Sequence, residues 1–298
     1  MSARITPLED VRPRPRTVAV GMFDGVHLGH REVIRGADTA LTLHPHPLAV
    51  LHPERVPAQL TTLERKADLI GRLGVQELVL VPFDAETAAQ SAESFIDDVL
   101  VRRLDARGVR VGENFHFGHG AVGTPGLLAT DPRFDTVIVP LLARDGERLS
   151  STRARELVAA GDVAGAARIL GDPFALAGTV EHGEKRGREI GFPTANLTPP
   201  AGHALPAHGV YACRARVDGD AEHAAAVSIG IRPQFETALG VLVEAHLLDF
   251  DGDLYGRRLE LEFLERLRGE ERFDDVDALV RQIGQDVEDS RRIVAAHV

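Results

Sequence analysis

The sequence predicts an α/β domain with a mostly parallel sheet, followed by a β domain that ends in a helix. Two observations support this fold class. Between residues 17 and 139, apolar β-branched runs alternate with amphipathic helical segments, which is typical of a parallel sheet covered by helices. Between residues 174 and 264, short apolar runs are separated by Gly, Pro and Asp, which is typical of antiparallel sheets or barrels. We place the boundary at Gly171-Asp172-Pro173, giving domains of residues 1–171 and 172–298.

The first domain alternates strands and helices after an N-terminal arm. Arg12, Arg14 and Arg16 alternate with prolines before the first strand, and we expect an extended, solvated arm there. The predicted strands are Thr17–Met22, Thr39–Leu43, Glu77–Val81, Val109–Val111 and Thr136–Val139. The predicted helices are Gly29–Ala37, a segment from Thr61 or Thr62 to Gly74, Ala92–Val101, Thr152–Ala160 and Val163–Leu170.

The second domain changes to strand periodicity and returns to a helical pattern only at its end. Its predicted strands are Leu176–Glu181, Val210–Val217, Ala224–Ile229, Val241–Leu248 and Arg258–Phe263. Apolar residues between Val276 and Val294 then recur at steps of three, four and seven, which predicts a C-terminal helix.

Charge and composition exclude several classes of partner and site. With 34 basic and 45 acidic residues the formal charge is −11, which argues against nucleic acid or an anionic membrane as the main partner. Lys66 and Lys185 are the only lysines, and neither lies in the G-K-[ST] context of a P-loop. Cys213 is the only cysteine, so neither an intrachain disulfide nor a cysteine zinc cluster is possible. We expect a cytoplasmic protein without an obligate protein partner.

The first candidate site follows the first strand, in the segment Gly21–His30. Its glycines permit tight turns, and His27 and His30 fall at the start of the next helix, where N–H groups attract phosphate. Ligands of open α/β sheets bind at this edge. Two other interpretations stay open: a merely polar turn, or a metal site completed by His44 and His46.

Two further segments favour a nucleotide at the same sheet edge. Gly112–Gly118 brings an amide and two aromatic rings to the end of a strand, although aromatic residues on strands usually belong to a core. Arg148–Arg155 brings hydroxyls and arginines to the start of a helix, which suits phosphates but also fits an ordinary helix cap.

The second domain has one dense polar motif, Gly183–Asn196. Glycines and basic residues at its start can form a flap over phosphates. Thr194 and Asn196 lie two residues apart and share a face if the chain is extended, so their oxygens suit a Mg²⁺ held mainly by ATP. A glycine-rich hairpin with ordinary turn caps is the structural alternative.

These motifs resemble those of the bifunctional bacterial riboflavin kinase/FAD synthetase family, also called riboflavin kinase/FMN adenylyltransferase. In the first domain the resemblance is carried by G-M-F-D-G-V-H-L-G-H, P-H-P, G-E-N-F-H-F-G and L-S-S-T-R-A-R. In the second it is carried by G-R-E-I-G-F-P-T-A-N, H-G-V-Y, S-I-G-I-R-P, V-E-A-H-L-L-D-F, D-L-Y-G and L-R-G-E-E-R-F. Together these strings cover nearly the whole chain.

For the first domain, the resemblance implies a Rossmann-like H-x-G-H nucleotidyltransferase that converts FMN and ATP to FAD and pyrophosphate. It assigns catalysis to His27, His30 and Arg155. The implied ATP and phosphate contacts are Gly21, Phe23, Asp24, His27, His30, Asn114, Ser151, Thr152 and Arg155. The implied flavin contacts are Pro45, His46, Phe115 and Phe117.

For the second domain, the resemblance implies a six-stranded antiparallel barrel with a C-terminal helix that phosphorylates riboflavin to FMN. It assigns the general base to Glu244 and Mg²⁺ to Thr194 and Asn196. The implied ATP contacts are Gly187, Arg188, Thr194 and Asn196, and the implied flavin contacts are Arg268 and Phe273.

Some positions depart from the family pattern. Only 14 residues separate His30 from Pro45, which predicts a helix of about two turns after His30. His44 replaces a residue that is usually acidic, and Gln234 replaces a usual Thr. Two rival functions are therefore kept: a riboflavin kinase whose first domain binds nucleotide without transferring adenylate, and a non-enzymatic flavin store or sensor. The general base and the H-x-G-H motif argue against the second rival.

Overall fold

The structure is a computed structural model that describes residues 2–144, 146–182, 187, 190–219, 222–231 and 241–297. By its internal contacts the chain forms two compact units, Met1–Ser151 and Thr152–Val298. Two helices that the sequence analysis assigned to the first domain, α7 (Ser151–Ala159) and α8 (Val163–Leu170), thus group almost entirely with the second unit. The domain boundary at 171/172 stays a prediction.

A six-stranded parallel sheet organises the first unit. Its strands are β1 (Arg4–Pro7), β2 (Arg16–Val20), β3 (Thr39–His44), β4 (Glu77–Pro82), β5 (Ala106–Gly112) and β6 (Asp135–Val139), in the order β1-β4-β3-β2-β5-β6. The helices are α1 (Leu28–Ile34), α2 (Pro47–Leu51), α3 (Leu63–Arg72), α4 (Ala85–Ala89), α5 (Ala92–Ser94), continued by a π-helical segment (Phe95–Arg103), and α6 (Pro125–Thr130). A short hairpin, β7 (Ala143–Arg144) and β8 (Glu147–Arg148), follows β6. The sequence thus predicted five of the six strands.

Two apolar cores cover the two faces of this sheet. Because strand side chains alternate, Val18 and Val20 face one core, which includes the π-helical segment, whereas Ala19 faces the other, which includes α1 and α3. Burial on both faces explains why the central strands β2, β3 and β4 are continuous apolar runs. The helix that contains His30, α1, has seven residues, which agrees with the prediction of about two turns.

The expectation of an extended, solvated arm holds for Arg12 and Pro13, which are exposed and outside any strand, but not for Arg16, which is buried in β2. Arg4–Pro7 forms β1, an edge strand paired in parallel with β4. The Arg16 side chain is only 1% exposed, and its Nη1 donates to Glu77 Oε2 at 3.0 Å. Proline and arginine give no apolar periodicity, so the sequence pattern could not reveal a strand whose partner lies about seventy residues further along the chain.

The second unit contains a closed antiparallel barrel, as the family resemblance implied. Its strands are β9 (Phe174–Glu181), β10 (Ala195–Thr198), β11 (Gly209–Val217), β12 (Glu222–Ile231), β13 (Val241–Leu247) and β14 (Arg258–Arg268), in the order β10-β13-β12-β11-β14-β9. Phe174, Tyr211 and Phe263 are buried and in ring contact. The final helix, α9 (Val276–Ala296), packs Ile293 and Val294 against the barrel. Strand periodicity had not predicted the four-residue β10.

Candidate active sites

The strand order of the first unit reverses between β2 and β5, where open α/β sheets usually bind ligands. The chain runs from β2 to β3 on one side and places β5 and β6 on the other, so the strand order reverses between β2 and β5. Crevices at the carboxyl ends of such strands are the usual ligand sites of open α/β sheets. The segments Gly21–His30 and Gly112–Gly118, which the sequence analysis singled out, lie at the ends of these two strands.

A strained turn carries the two histidines. Phe23, Gly25 and Val26 have φ angles of 50°, 79° and 41°, all in the left-handed region. That conformation suits glycine but is unfavourable for Phe and most unfavourable for a β-branched Val. The turn leads directly into α1, and His27 is the N-cap of that helix. The His27 Nδ1 accepts a hydrogen bond from the His30 N–H at 3.2 Å. Strain of this kind persists where the surrounding contacts enforce it, and it concentrates at functional sites.

The imidazoles of His27 and His30 stack on each other. Their ring centroids are 3.6 Å apart at an interplanar angle of 22°, and the ring of Phe23 meets His30 edge-on at 5.4 Å. A Cβ at Gly29 would lie 3.0 Å from the His27 ring, so any side chain there would have to displace that ring by a few tenths of an ångström. Since Nδ1 of His27 accepts a hydrogen bond, the proton of its neutral form lies on Nε2, which can donate to an anion.

Asp24 is a buried residue of this turn, and its side chain binds the loop that precedes α3. Its buried carboxylate accepts the N–H groups of Leu60 and Thr61, at 3.1 and 3.2 Å, and the Thr61 hydroxyl at 3.2 Å. Ser151 Oγ donates to the Asp24 carbonyl at 2.9 Å. This geometry gives Asp24 a structural task, while its predicted phosphate contact stays a prediction. The sequence analysis considered Thr61 only as a possible N-cap of α3. In the structure Thr62 is the N-cap, and the Thr61 hydroxyl donates to Asp24 instead.

The end of β3 lies next to the end of β2 at the same sheet edge. Pro45 follows a cis peptide bond after His44, and His46 caps α2 by accepting the Leu48 N–H at 3.1 Å. The described residues contain no group of three or more His, Cys, Asp or Glu side chains that could hold a metal ion. The flavin contacts of Pro45 and His46 stay predictions.

After β5, the side chains of Asn114 and Phe115 are more exposed than that of Phe117. Asn114 is exposed, with Oδ1 turned back toward Gly112. Phe117 is only 8% exposed and belongs to the core, where it contacts Phe95 at 5.4 Å. Phe115 is half-buried and stacks on it at 5.5 Å. Of the two aromatic rings predicted to contact flavin, Phe115 is the more accessible, and neither contact is tested.

The segment Ser151–Arg155 opens α7, as predicted. Ser151 belongs to the first unit and is held at the turn by its bond to Asp24. Thr152, which is exposed, and Arg155, which is half-buried, belong to the second unit. Their roles in ATP binding stay predictions, as does that of Gly21, whose lack of a side chain makes room for the Phe23 ring.

In the barrel, the predicted general base and the two predicted Mg²⁺ ligands lie together. Asn196 on β10 is paired directly with Glu244 on β13, so both side chains lie on the same face. Thr194 Oγ1 donates to Glu244 Oε1 at 3.4 Å. Asn196 is only 7% exposed, and Glu244 is half-buried. A hydroxyl, an amide and a carboxylate thus occupy one patch on the outer face of the barrel.

His246, which the sequence analysis did not single out, fixes the loop before Thr194. Its Nδ1 lies 2.8 Å from the Pro193 carbonyl, and the carbonyl can only accept, so Nδ1 carries a proton. The ring of Phe192 meets His246 edge-on at 5.6 Å. A Cβ at Gly187 would lie 2.3 Å from the Phe192 carbonyl oxygen, which explains glycine there. Arg188 and Gln234 lie outside the described residues.

Arg268 and Phe273 lie together, near the C-terminal helix. The Arg268 guanidinium is 5.6 Å from the centre of the Phe273 ring, within cation–π range. It also donates to both carboxylate oxygens of the buried Asp286, with the shortest contact 2.7 Å. Gln282 donates to the same carboxylate at 3.0 Å. Helical periodicity could not identify Asp286 as the partner of an arginine on a strand. The flavin contacts of Arg268 and Phe273 stay predictions.

Thr194 and Asn196 fit the magnesium ion that the family resemblance implies. Both offer oxygen donors, the ligand type of hard divalent cations, and the Glu244 carboxylate lies beside Thr194. Two neutral ligands suit an ion whose remaining ligands are ATP phosphates and water.

In the part of the chain that the structure describes, no helix is long and apolar enough to cross a membrane.

Comparison with known proteins identifies the family. An FAD synthetase family model matches residues 10–153, and a riboflavin kinase model matches residues 170–294. Bifunctional riboflavin kinase/FMN adenylyltransferases are 36% identical in Listeria monocytogenes, covering 94% of this chain and 93% of that protein, and 36% identical in Escherichia coli, covering 90% of each. A crystal structure described as a macrolide-efflux protein from Streptococcus pneumoniae has 30% identity and a TM-score of 0.86, covering 96% of this chain and 98% of that one. The chain therefore belongs to the bifunctional riboflavin kinase/FMN adenylyltransferase family.

Proposed function

We propose that the two activities of this enzyme, riboflavin kinase and FMN adenylyltransferase, use two separate sets of residues. Riboflavin and ATP give FMN and ADP at the barrel, and FMN and ATP give FAD and pyrophosphate at the edge of the parallel sheet. The observation that carries this assignment is the arrangement Thr194–Glu244–Asn196 in one unit and the stacked pair His27–His30 in the other.

In the kinase reaction, Glu244 acts as general base. It takes the proton of the terminal ribityl hydroxyl as that oxygen attacks the γ-phosphorus of ATP, and the bond from the γ-phosphorus to the β–γ bridging oxygen breaks to release ADP. A carboxylate beside a hydroxyl and an amide can accept that proton without rearrangement of the barrel. Arg268 and Phe273 are proposed to contact the flavin, and Gly187 and Arg188 the ATP.

In the adenylyl transfer, no covalent intermediate with the protein is needed. A phosphate oxygen of FMN attacks the α-phosphorus of ATP, the bond from the α-phosphorus to the α–β bridging oxygen breaks, and pyrophosphate leaves. Such reactions depend on positioning and charge stabilisation, which imidazole donors at a helix start can supply. His27 and His30 take this role, with Arg155 as a further cation. The remaining contacts predicted from the family motifs are proposed unchanged.

A divalent metal is part of this proposal, and we propose Mg²⁺. Thr194 and Asn196 would hold it at the kinase site, where it would neutralise charge on the ATP phosphates. We also propose that the enzyme works in the cytoplasm on small molecules alone, without nucleic acid, membrane or an obligate protein partner. The acidic net charge and the single, buried Cys213 support this view.

A chromatographic assay with riboflavin, ATP and Mg²⁺ tests the proposal. We expect FMN to appear first and FAD to follow in the same reaction. FMN without FAD would select the rival in which the first domain only binds nucleotide. The two-turn α1 argues against that rival, because it keeps His27 and His30 stacked despite its short length.

A further inference from the structure

Lys66 is a cation beside the turn that carries the two histidines. It is one of only two lysines among 34 basic residues, and it lies in the first turn of α3, where its N–H bonds the Thr62 carbonyl at 2.9 Å. Its Nζ donates to the carbonyl oxygen of Met22 at 2.9 Å. Met22 stands between the end of β2 and the left-handed Phe23, so this contact falls at the point where the strand becomes the turn.

The Met22 carbonyl is held from two sides. Thr42 on β3 is buried, and its hydroxyl donates to the same oxygen at 3.2 Å. A carbonyl oxygen has two lone pairs, and these two donors use both. The peptide that joins Met22 to Phe23 is therefore fixed between β3 and α3. The donor from α3 is charged, and charge-assisted hydrogen bonds are the stronger kind.

A fixed peptide at Met22 determines where Phe23 lies. Phe23 is fully buried with a φ of 50°, and its ring meets the His30 imidazole edge-on at 5.4 Å. The other side of that imidazole stacks on His27 at 3.6 Å. A displacement of the Met22 peptide would therefore displace the Phe23 ring and, with it, the His30 ring that it contacts.

The Lys66 ammonium is largely removed from water, so its charge is stabilised mainly by the Met22 carbonyl and the Asp24 carboxylate. Burial lowers the pKa of Lys66 below its usual value, and the nearby Asp24 carboxylate partly offsets that effect. Asp24 itself is bound to the loop before α3. The ammonium is therefore a desolvated group with a defined acceptor, unlike a surface lysine whose head group is hydrated.

We infer that Lys66 is a positioning residue for adenylyl transfer, which holds the His30 ring in place through the Met22 carbonyl and Phe23. The inference rests on the proposed assignment of His27 and His30 to that reaction. Lys66 need not touch ATP or FMN for this role. Its loss should lower the turnover of FAD formation more than it weakens substrate binding, because a displaced imidazole fails to follow the charge that develops in the transition state.

Lys66→Met tests this role, since it keeps the apolar stem and removes the ammonium. We expect kcat for FAD formation from FMN to fall about tenfold, with KM for ATP changed less than about twofold. Lys66→Arg, which keeps a cationic donor, should recover most of that kcat. FMN formation from riboflavin by the same preparations is the internal control. Arg72→Met removes an exposed cation from the last turn of the same helix and should change neither reaction.

The outcomes separate this inference from the proposal on which it rests. FAD formation by Lys66→Met at the wild-type kcat, or equal defects in Lys66→Met and Lys66→Arg, would overturn the positioning role. If Lys66→Met also loses kinase activity through misfolding, Lys66→Gln decides, because it keeps a polar side chain and removes the charge; an unchanged kcat for FAD formation there overturns the inference. Full FAD synthesis by His30→Ala in the parallel assay would instead remove His30 from the reaction.

Discussion

Glu244→Gln is the substitution that most directly tests the division of labour between the two sites. Gln has nearly the same shape as Glu, and its amide oxygen can still accept the Thr194 hydroxyl, which lies 3.4 Å from the carboxylate. Because Glu244 is half-buried on the outer face of the barrel, its side chain is not part of the apolar interior. We expect the free energy of unfolding to change by less than about 0.5 kcal/mol, as is usual for substitutions outside the core.

The expected loss of activity follows from the missing base. An amide cannot take the proton of the ribityl hydroxyl, and a positioned general base contributes roughly 10²- to 10⁴-fold to such a step. At about 1.36 kcal/mol for each factor of ten, this loss raises the activation free energy of the kinase reaction by about 2.7 to 5.4 kcal/mol. Adenylyl transfer should keep its wild-type rate, because it uses no barrel residue as its base.

Two chromatographic assays on one preparation measure both reactions. Riboflavin with ATP gives the sum of FMN and FAD as the kinase rate, and FMN with ATP gives the FAD rate. Glu265→Gln makes the same change at an exposed carboxylate on β14 of the barrel and serves as the matched control. Kinase activity of Glu244→Gln within about threefold of wild type would refute the role of Glu244 as base. Equal losses in both assays would refute the two-site assignment.

Three further predictions concern other parts of the molecule. His30→Ala should abolish FAD formation and leave FMN formation intact; parallel loss of both products would contradict it. His246→Phe keeps the ring but removes the hydrogen bond to the Pro193 carbonyl, so the kinase KM for ATP should rise about three- to tenfold; an unchanged KM would show that this contact does not position Thr194. Glu77→Gln leaves the buried Arg16 without its counter-charge and should cost about 3–5 kcal/mol in urea denaturation. Burial acts to raise the pKa of Glu77, but its hydrogen bonds and Arg16 lower it overall, so this stabilisation is present at neutral pH and is lost as pH falls through the lowered pKa. If the difference in unfolding free energy between the wild type and Glu77→Gln stayed the same at acidic pH, that explanation would be contradicted.

Sequence patterns located the elements whose signal is local. The strands β2, β3 and β4 are apolar runs buried on both faces, and β5 and β6 are short β-branched runs, so all five are visible without knowledge of any partner. Gly25 likewise indicates the turn before His27, because its φ of 79° is one that glycine adopts without strain. By contrast, β1 and β10 have four residues each, too few for a periodic pattern, and they exist because distant strands pair with them.

The sequence by itself determined the two-domain organisation, the family and the residue types of both sites, because these depend on local periodicity and on contiguous motifs. Only the tertiary structure decided which residues support those sites. Asp24 binds the loop before α3, Lys66 holds the Met22 carbonyl, and His246 holds the Pro193 carbonyl. Each of these contacts joins residues between 36 and 53 positions apart in the chain. Such partners meet only when the sheet and the barrel bring their strands together, so no spacing in the sequence could identify them.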